Sequence, residues 1–482
     1  MNIVRQNDLK RNTVLSTLSL FFQSSYSAFL GLIANLVLTI LVSPAIFGIY
    51  ITVLSIMSVF NYFSDIGLAA SLVQKKDITE EDVKTTFTVQ QILVISLIII
   101  GFILTSRIQS FYRFPQQGVD LFWALLVAFF ISSLKTIPSI FLERKIQFQK
   151  IVFVQIVENT LFYLAVIIFA VMGSGLQSFT VAVLVRSFSG LITMYFLSFW
   201  IPKIGISFSS LKQLLSFGLP FQASSFLALI KDDLITLFLG KVVGFEGLGY
   251  IGWAKKWAES PIRIIMDNIS RVLFPIISRL QHDKNKVTTI IEKILYYQTI
   301  LLAPTILGMM IVMPQIVEII PKYNKWLPAL PLFYLFAFSA FFSSYSSPFT
   351  NLFNALGKVS ISFYFMVFWT VATWLLTPFL TKTIGLYGFP LTQVFLSLFF
   401  AVVVYRAKKI ISFRFFSPII KPIISALIMG AASLLLSFFL PYSLITIGIL
   451  GVFGCITYIA ILYFLFKINV INEIKMIFNY DA

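Results

Sequence analysis

The chain has 482 residues, of which 59 % are hydrophobic and only 11 % are charged, and its formal net charge is +17. A soluble globular domain carries about 25 % charged residues, so this composition excludes an ordinary soluble fold and predicts a surface that mostly faces lipid. A single cysteine and a single histidine exclude an internal disulfide and a metal site built from these residue types. We therefore expect no cofactor and little scope for hydrolytic or metal chemistry.

Apolar runs separated by proline and glycine residues follow one another along the whole chain. A transmembrane helix needs about 20 predominantly apolar residues. The first run follows a polar N-terminal segment and is too long for a signal-peptide core, so we expect it to be a retained helix. The sequence predicts an all-α integral membrane protein of about fourteen spans, numbered 1 to 14, at residues 13–42, 47–72, 86–106, 121–138, 151–172, 177–200, 214–239, 250–275, 289–313, 328–353, 359–380, 385–405, 419–440 and 443–466.

The distribution of lysine and arginine between the loops predicts the orientation of these spans. With the N-terminus inside, the inner segments hold 22 basic residues and the outer segments hold 6. Cytoplasmic loops carry such an excess in membrane proteins, so both termini are predicted to be cytoplasmic. Because orientation accounts for most of the positive charge, no nucleic-acid partner is needed to explain it.

The loops predict a protein without a catalytic domain. The longest outer loops, 107–120 and 314–327, have about fourteen residues each, too few for such a domain. On the inner side, Thr79 and the acidic residues at 80–82 predict the start of a short helix after span 2. Capping or interfacial snorkelling explains Asp65 and Lys135, near the inner ends of spans 2 and 4.

Spans 7 and 8 carry ionisable residues that a lipid-facing helix would not tolerate. Each charge near the centre of a span costs ~2.5–3.5 kcal/mol of insertion free energy, and charges inside a membrane are functional candidates by default. Span 8 is retained because leaving it outside would move the basic cluster at 406–409 to the outer face. The candidates for a substrate cavity are Lys231, Asp232 and Asp233 in span 7, Lys255, Glu259, Arg263, Asp267 and Arg271 in span 8, Glu158 in span 5 and Arg186 in span 6.

These charges have a structural interpretation and a functional one. The span 8 charges alternate in sign at i, i+4 spacing and can pair along the helix, whereas a wet cavity would let them contact substrate. Glu158 and Arg186 can also pair with each other. Pro261 removes the backbone bond to the carbonyl of Trp257, which predicts either a static kink or a hinge for alternating access. Tyr250, Trp253 and Trp257 flank the charged stripe, and their aromatic faces beside cations suggest a surface for sugar rings.

Several motifs resemble those of the polysaccharide transporter family within the multidrug/oligosaccharidyl-lipid/polysaccharide (MOP) flippase superfamily. The resemblance covers residues 1 to about 290 well, and the remainder only by its span pattern. The matching segments and residues are Phe63-Ser64-Asp65-Ile66-Gly67-Leu68, Gln74-Lys75-Lys76-Asp77-Ile78-Thr79-Glu80-Glu81-Asp82, Leu142, Arg144, Phe148, Asp233, Leu248-Gly249-Tyr250, Pro261 and Phe274-Pro275-Ile276-Ile277-Ser278-Arg279-Leu280.

The resemblance implies a V-shaped bundle of two six-helix lobes, at 1–200 and 201–406, followed by spans 13 and 14 and a tail at 407–482. It implies a central cavity lined by spans 1, 2, 7 and 8. The implied substrate is an oligosaccharide linked to undecaprenyl diphosphate, flipped across the bacterial inner membrane. Span 1 has no basic residue after Arg11, unlike some relatives that flip peptidoglycan precursor, which weakens a peptidoglycan role.

Three functions remain open from the sequence. The favoured one is a flippase for a lipid-linked repeat unit of O-antigen, exopolysaccharide or teichuronic type, with a proton or sodium ion as a possible coupling partner. A multidrug or cation antiporter of the same superfamily would favour an acidic cavity, and the candidates here are balanced or slightly basic. A membrane polysaccharide polymerase or ligase would need large outer loops, which this chain lacks.

Overall fold

The computed structural model describes the backbone of residues 6–468 and most of their side chains; the side chains at 6–18, 20, 21, 24, 25, 221, 223–225, 268, 271 and 272 lie outside the description. The described residues form helices joined by short turns, with no β-strand among them. They divide into two compact units, Met1–Gly249 and Tyr250–Ala482.

Over its described residues, the first unit contains ten complete α-helices and one π-helical segment. The π-helical segment, Leu229–Leu234, joins α9 to α10. Helix α11, Gly244–Leu280, begins at the end of this unit and continues into the second. The helices of the first unit are α1 Gln6–Leu41, α2 Pro44–Phe63, α3 Leu68–Gln74, α4 Glu80–Tyr112, α5 Gln116–Ser133, α6 Thr136–Arg144, α7 Phe148–Val171, α8 Gln177–Leu197, α9 Phe208–Ala228 and α10 Ile235–Val242.

The second unit contains the remaining described helices. In two places, a pair of short consecutive helices occupies the length of one predicted span. Two 3₁₀ segments, Asn324–Ala329 and Gly385–Tyr387, lead into α13 and α16. The helices after α11 are α12 Lys284–Ile319, α13 Leu330–Ser344, α14 Ser346–Ala355, α15 Val359–Ile384, α16 Gly388–Leu398, α17 Phe400–Lys408, α18 Phe416–Phe439 and α19 Leu444–Phe464.

Ten helical stretches of the described chain are long and apolar enough to cross a membrane, so the protein is a multi-pass membrane protein. Every predicted span coincides largely with helix, but spans 1, 7 and 8 are not among the ten stretches, and spans 11 and 12 fall in one of them, Val359–Lys408. Span 1 appears only as a shorter apolar helix, Tyr26–Leu41, and the helices of spans 7 and 8 are broken or charged. The count of fourteen spans and the position of the termini stay predictions. The division into two lobes at 1–200 and 201–406 and a C-terminal part at 407–482 also stays a prediction, because the two compact units do not test it.

The short helix expected after Thr79 is wrong. Thr79 does cap a helix through a reciprocal bond with Asp82, but that helix is α4, which continues through span 3 to Tyr112. The short helix lies earlier, at α3, where the chain breaks span 2 after Phe63. Gly67 makes this break possible, because its φ of +81° is a conformation that other residues adopt only with strain.

Helix α3 is held at both ends by motif residues. At its N-terminus, the Asp65 carboxylate accepts the backbone N–H of Ala69 at 3.0 Å, which confirms the capping role. At its C-terminus, the Arg144 guanidinium donates to the carbonyls of Leu72 at 2.8 Å and Lys76 at 2.9 Å. Arg144 therefore supplies donors for carbonyls that a helix end leaves without partners.

Candidate functional site

The charges of span 7 lie in a π-helical turn. Lys231, Asp232 and Asp233 belong to the π segment between α9 and α10, which packs against α2. Such wide turns are rare in proteins and are frequent at functional sites. Lys231 Nζ lies 3.6 Å from Asp232 Oδ1, and both side chains are partly exposed. The turn therefore places a paired cation and anion, with Asp233 beside them, at one point of the span.

The two ends of span 7 are fixed within the first unit. On the α9 side, Gln222 Nε2 donates to the carbonyl of Tyr62 at 2.9 Å, and the Tyr62 hydroxyl donates to the carbonyl of Gln222 at 3.2 Å. On the α10 side, the Tyr112 hydroxyl donates to the carbonyl of Leu237 at 3.3 Å. The irregular turn therefore lies between two hydrogen-bonded anchors.

In the second unit, the predicted charge ladder on α11 forms over its first three members. Glu259 lies between two cations, with Lys255 Nζ 3.8 Å from Oε1 and Arg263 Nη2 3.1 Å from Oε2. The Arg263 side chain is 73 % exposed, whereas that of Glu259 is 28 % exposed. Arg263 uses one nitrogen on Glu259 and presents the remaining N–H groups of its guanidinium outward, where they can donate to an anion.

The lower half of the ladder differs from the prediction. Among the residues that the structure describes, Asp267 is exposed and forms no ion pair with Arg263. The side chain of Arg271 lies outside the described residues, so its predicted place in the ladder stays a prediction. The alternation of charge along α11 therefore ends, as a set of described ion pairs, at Arg263.

Pro261 lies inside α11, which continues through it as one helix. Proline removes the hydrogen bond to the carbonyl four residues earlier, here that of Trp257. The Ser260 hydroxyl donates to this carbonyl at 2.9 Å and takes the place of the missing backbone donor. The sequence signal for this compensation is the serine before the proline. The choice between a static kink and a hinge stays open.

The suggested sugar-facing role of Trp253 is wrong. Its side chain is fully buried, its ring stacks on Trp326 with centroids 5.5 Å apart, and its Nε1 donates to the Tyr323 hydroxyl at 2.9 Å. Trp253 is therefore a packing residue of the second unit. Trp257, one turn further along α11, is partly exposed, and its Nε1 has no hydrogen-bond partner among the described residues.

Glu158 does not pair with Arg186, as one interpretation had expected, but with Lys135. The Lys135 ammonium contacts Glu158 Oε1 directly. The Glu158 carboxylate also lies against the backbone of α8 at Gly190, where an added Cβ would stand only 1.7 Å from Oε1. Arg186 is exposed, and its guanidinium lies 5.8 Å from the centre of the Phe162 ring. Lys135 is therefore a partner of a buried charge, and the interfacial role expected for it is wrong.

We expect Lys135→Met to destabilise the protein by ~3–5 kcal/mol, because Glu158 would remain buried without its cation. The double variant Lys135→Met/Glu158→Met removes both charges and should regain most of the lost stability. Thermal unfolding of the purified variants in detergent measures both effects. A single variant as stable as the wild type would contradict the pair's importance.

A comparison with known proteins identifies the family. The model of a family described as "Polysaccharide biosynthesis protein" matches residues 37–331, more than half of the chain. The chain belongs to this family. This confirms the resemblance drawn from the sequence motifs, all of which lie inside the matched residues.

Curated relatives from several bacteria are similar to this family member. The lipopolysaccharide biosynthesis protein WzxC of Escherichia coli K12 is 26 % identical over 71 % of this chain and 69 % of its own. The teichuronic acid biosynthesis protein TuaB of Bacillus subtilis 168 is 23 % identical over 62 % of each chain. The succinoglycan biosynthesis transport protein ExoT of Rhizobium meliloti 1021 is 20 % identical over 70 % of this chain and 68 % of its own.

Solved structures of MOP transporters share the fold. The lipid II flippase MurJ, in an inward closed conformation, superposes with a TM-score of 0.75 at 14 % identity over 93 % of this chain and 99 % of its own. An inward-facing multidrug resistance transporter of the MATE family gives a TM-score of 0.61 at 14 % identity, over 81 % of this chain and 94 % of its own. At these identities the likeness concerns the fold alone.

Proposed function

We propose that the protein flips an oligosaccharide linked to undecaprenyl diphosphate across the bacterial inner membrane by alternating access. Membership of a polysaccharide biosynthesis family carries this proposal. The names of its relatives, which concern lipopolysaccharide, teichuronic acid and succinoglycan, support an O-antigen, exopolysaccharide or teichuronic-type unit as the cargo. The fold shared with a lipid II flippase supports a lipid-linked cargo.

The charges on α11 support an anionic cargo. Arg263 is largely exposed on a helix that is too charged to stand in lipid. A guanidinium suits a diphosphate, because its planar fork can donate two parallel hydrogen bonds. Over spans 7 and 8 the sequence places five basic residues against four acidic ones, which disfavours the alternative of a cation antiporter.

Transport of an unmodified cargo tests the proposal. We expect the purified protein, reconstituted into vesicles, to equilibrate a fluorescent undecaprenyl-diphosphate oligosaccharide between the leaflets and to leave it covalently unchanged. Vesicles without protein are the control, and access of an external sugar-binding protein reports the movement. Sugar transfer or diphosphate cleavage by the pure protein would favour the polymerase or ligase instead. An imposed proton or sodium gradient that changes the rate would identify the coupling ion.

The proposed architecture has fourteen spans, two six-helix lobes, two further helices and cytoplasmic termini. Labelling in intact cells tests the orientation. In a background that lacks Cys455, cysteines at Gln117 and Asn324 should react with a membrane-impermeant reagent, and one at Asn285 should not. All three positions are exposed in the structure, so poor access within the protein cannot mimic protection by the membrane. The reverse labelling pattern would overturn the orientation.

A further inference from the structure

A rigid basic surface lies where α17 ends and α18 begins, within the second unit. We name this surface the basic junction, and it belongs to the face predicted to be cytoplasmic. All of its basic side chains are exposed. The basic junction consists of Arg406, Lys408, Lys409, Arg414 and Lys421.

The chain that forms the basic junction has a fixed conformation. Between the two helices, Phe413 and Phe415 are buried and Arg414 between them is exposed, which is the alternation of an extended segment. Helix α12 holds this segment, because the Glu292 carboxylate accepts the backbone N–H of Arg414 at 2.6 Å. The Thr288 hydroxyl also donates to the Ser412 carbonyl at 2.9 Å. The packing and these hydrogen bonds therefore set the outward direction of Arg414.

Two lysines of the basic junction are also positioned by aromatic rings. Lys409 Nζ lies 4.6 Å from the centre of the Tyr405 ring, and Lys408 Nζ lies 5.9 Å from the centre of the Phe413 ring. Cations at these distances are attracted to the face of a ring without being neutralised. The charges therefore stay available to an anion.

The basic junction has no acidic residue of its own, and the Glu292 carboxylate beside it accepts the backbone N–H of Arg414 rather than pairing with a basic side chain. Elsewhere among the described residues, Lys84 and Lys203 both pair with Glu80, and Lys286 pairs with Asp283. No member of the basic junction forms an ion pair within the described part of the chain, and the sequence has no Asp or Glu between Glu318 and Glu473. The orientation of the spans depends only on how many basic residues lie on each side of the membrane. It therefore explains neither the lack of ion-pair partners nor the fixed conformation of the basic junction.

Exposed apolar side chains beside the cations indicate the kind of anion. Phe416, two residues after Arg414, is 70 % exposed, and Ile420, adjacent to Lys421 in the chain, is 45 % exposed. A surface that combines cations with apolar and aromatic groups fits the boundary between lipid headgroups and acyl chains. A free phosphate would use the cations and leave these apolar groups in water.

We propose that the basic junction binds the phosphate headgroups of anionic phospholipids in the cytoplasmic leaflet. Basic clusters just cytoplasmic of a transmembrane helix attract such lipids. The bound lipids are neighbours of α18 rather than cargo. This inference does not depend on which molecule the protein transports.

Lipid retention by the purified protein tests the inference. Wild-type protein taken from an equimolar mixture of phosphatidylglycerol and phosphatidylcholine should retain phosphatidylglycerol preferentially, as counted by native mass spectrometry. The variant Lys408→Gln/Lys409→Gln/Arg414→Gln should retain it roughly tenfold less, because the headgroups lose their cations. The matched control Lys84→Gln/Lys203→Gln/Lys286→Gln removes the same charge from residues that have acidic partners, and should retain the lipid normally.

Two further measurements keep the test decisive. A cysteine at Ser412 should be protected from external labelling in both variants, which shows that α18 keeps its orientation. In the wild type, added salt should release phosphatidylglycerol and leave phosphatidylcholine unaffected, because exposed charges are screened. Equal retention by the wild type and the junction variant would overturn the proposal. So would a junction variant that loses only undecaprenyl diphosphate, since the surface would then belong to the cargo.

Discussion

Replacing Arg263 by lysine is expected to lower transport at least ~tenfold while membrane abundance stays near that of the wild type. The substitution keeps the charge and can keep the pair with Glu259. It removes the planar fork, so a diphosphate would meet a point charge instead of two parallel hydrogen bonds. A tenfold loss corresponds to about 1.4 kcal/mol of binding free energy. Initial flipping rates in vesicles of matched protein content give the measurement.

Arg107→Lys is the matched control for this experiment. It is the same exchange at an exposed arginine outside spans 7 and 8, and it should transport normally. Arg263→Ala is not informative, because it removes one of the two cations beside Glu259 and can disturb folding. Full transport by Arg263→Lys would exclude Arg263 from the substrate site and leave the ladder as a structural feature.

Replacing Gly67 by alanine is expected to cost roughly 2–5 kcal/mol of stability, from backbone strain and overpacking together. Gly67 has a φ of +81°, and an added Cβ would stand 2.2 Å from the carbonyl oxygen of Gly218. Because that obstacle is backbone of α9, a change of side-chain rotamer cannot relieve it. The variant should show a lower midpoint of thermal unfolding and reduced abundance in the membrane.

A substitution at Gly173 separates the cost of backbone strain from the cost of overpacking. Its φ is also +81°, but an added Cβ there would meet nothing within 4 Å. Gly173→Ala should therefore cost only the backbone strain, of about 1 kcal/mol. If both variants lost the same stability, the close approach of α3 and α9 would contribute nothing, and the argument for tight packing at Gly67 would fail.

The sequence predicted the helical regions well, because an apolar run of sufficient length has few alternatives in a membrane. It did not predict the breaks inside them. The short α3 depends on Gly67 meeting Gly218, a contact between residues far apart in the chain. The hydrogen bonds of Tyr62 and Tyr112 on either side of the π segment also join residues far apart in the chain, and hydropathy does not report them.

The candidate site was predicted in part for a similar reason. The pairs Lys255–Glu259 and Glu259–Arg263 follow from helical spacing, and the structure confirms them. The partner of Glu158 is Lys135, in the turn between α5 and α6, whereas the sequence suggested only Arg186. Spacing along one helix is local information, whereas pairing between helices is not.

The π-helical segment also affects how span 7 tolerates changes in length. In an α-helix, deletion of one residue rotates all later side chains by about 100° and shortens the helix by 1.5 Å. A single π turn holds an additional residue within an otherwise α-helical course, so a deletion inside Leu229–Leu234 can restore ordinary α-helix and keep both anchors in register. Natural length variation in span 7 should therefore concentrate in these six positions, beside the charges that they carry.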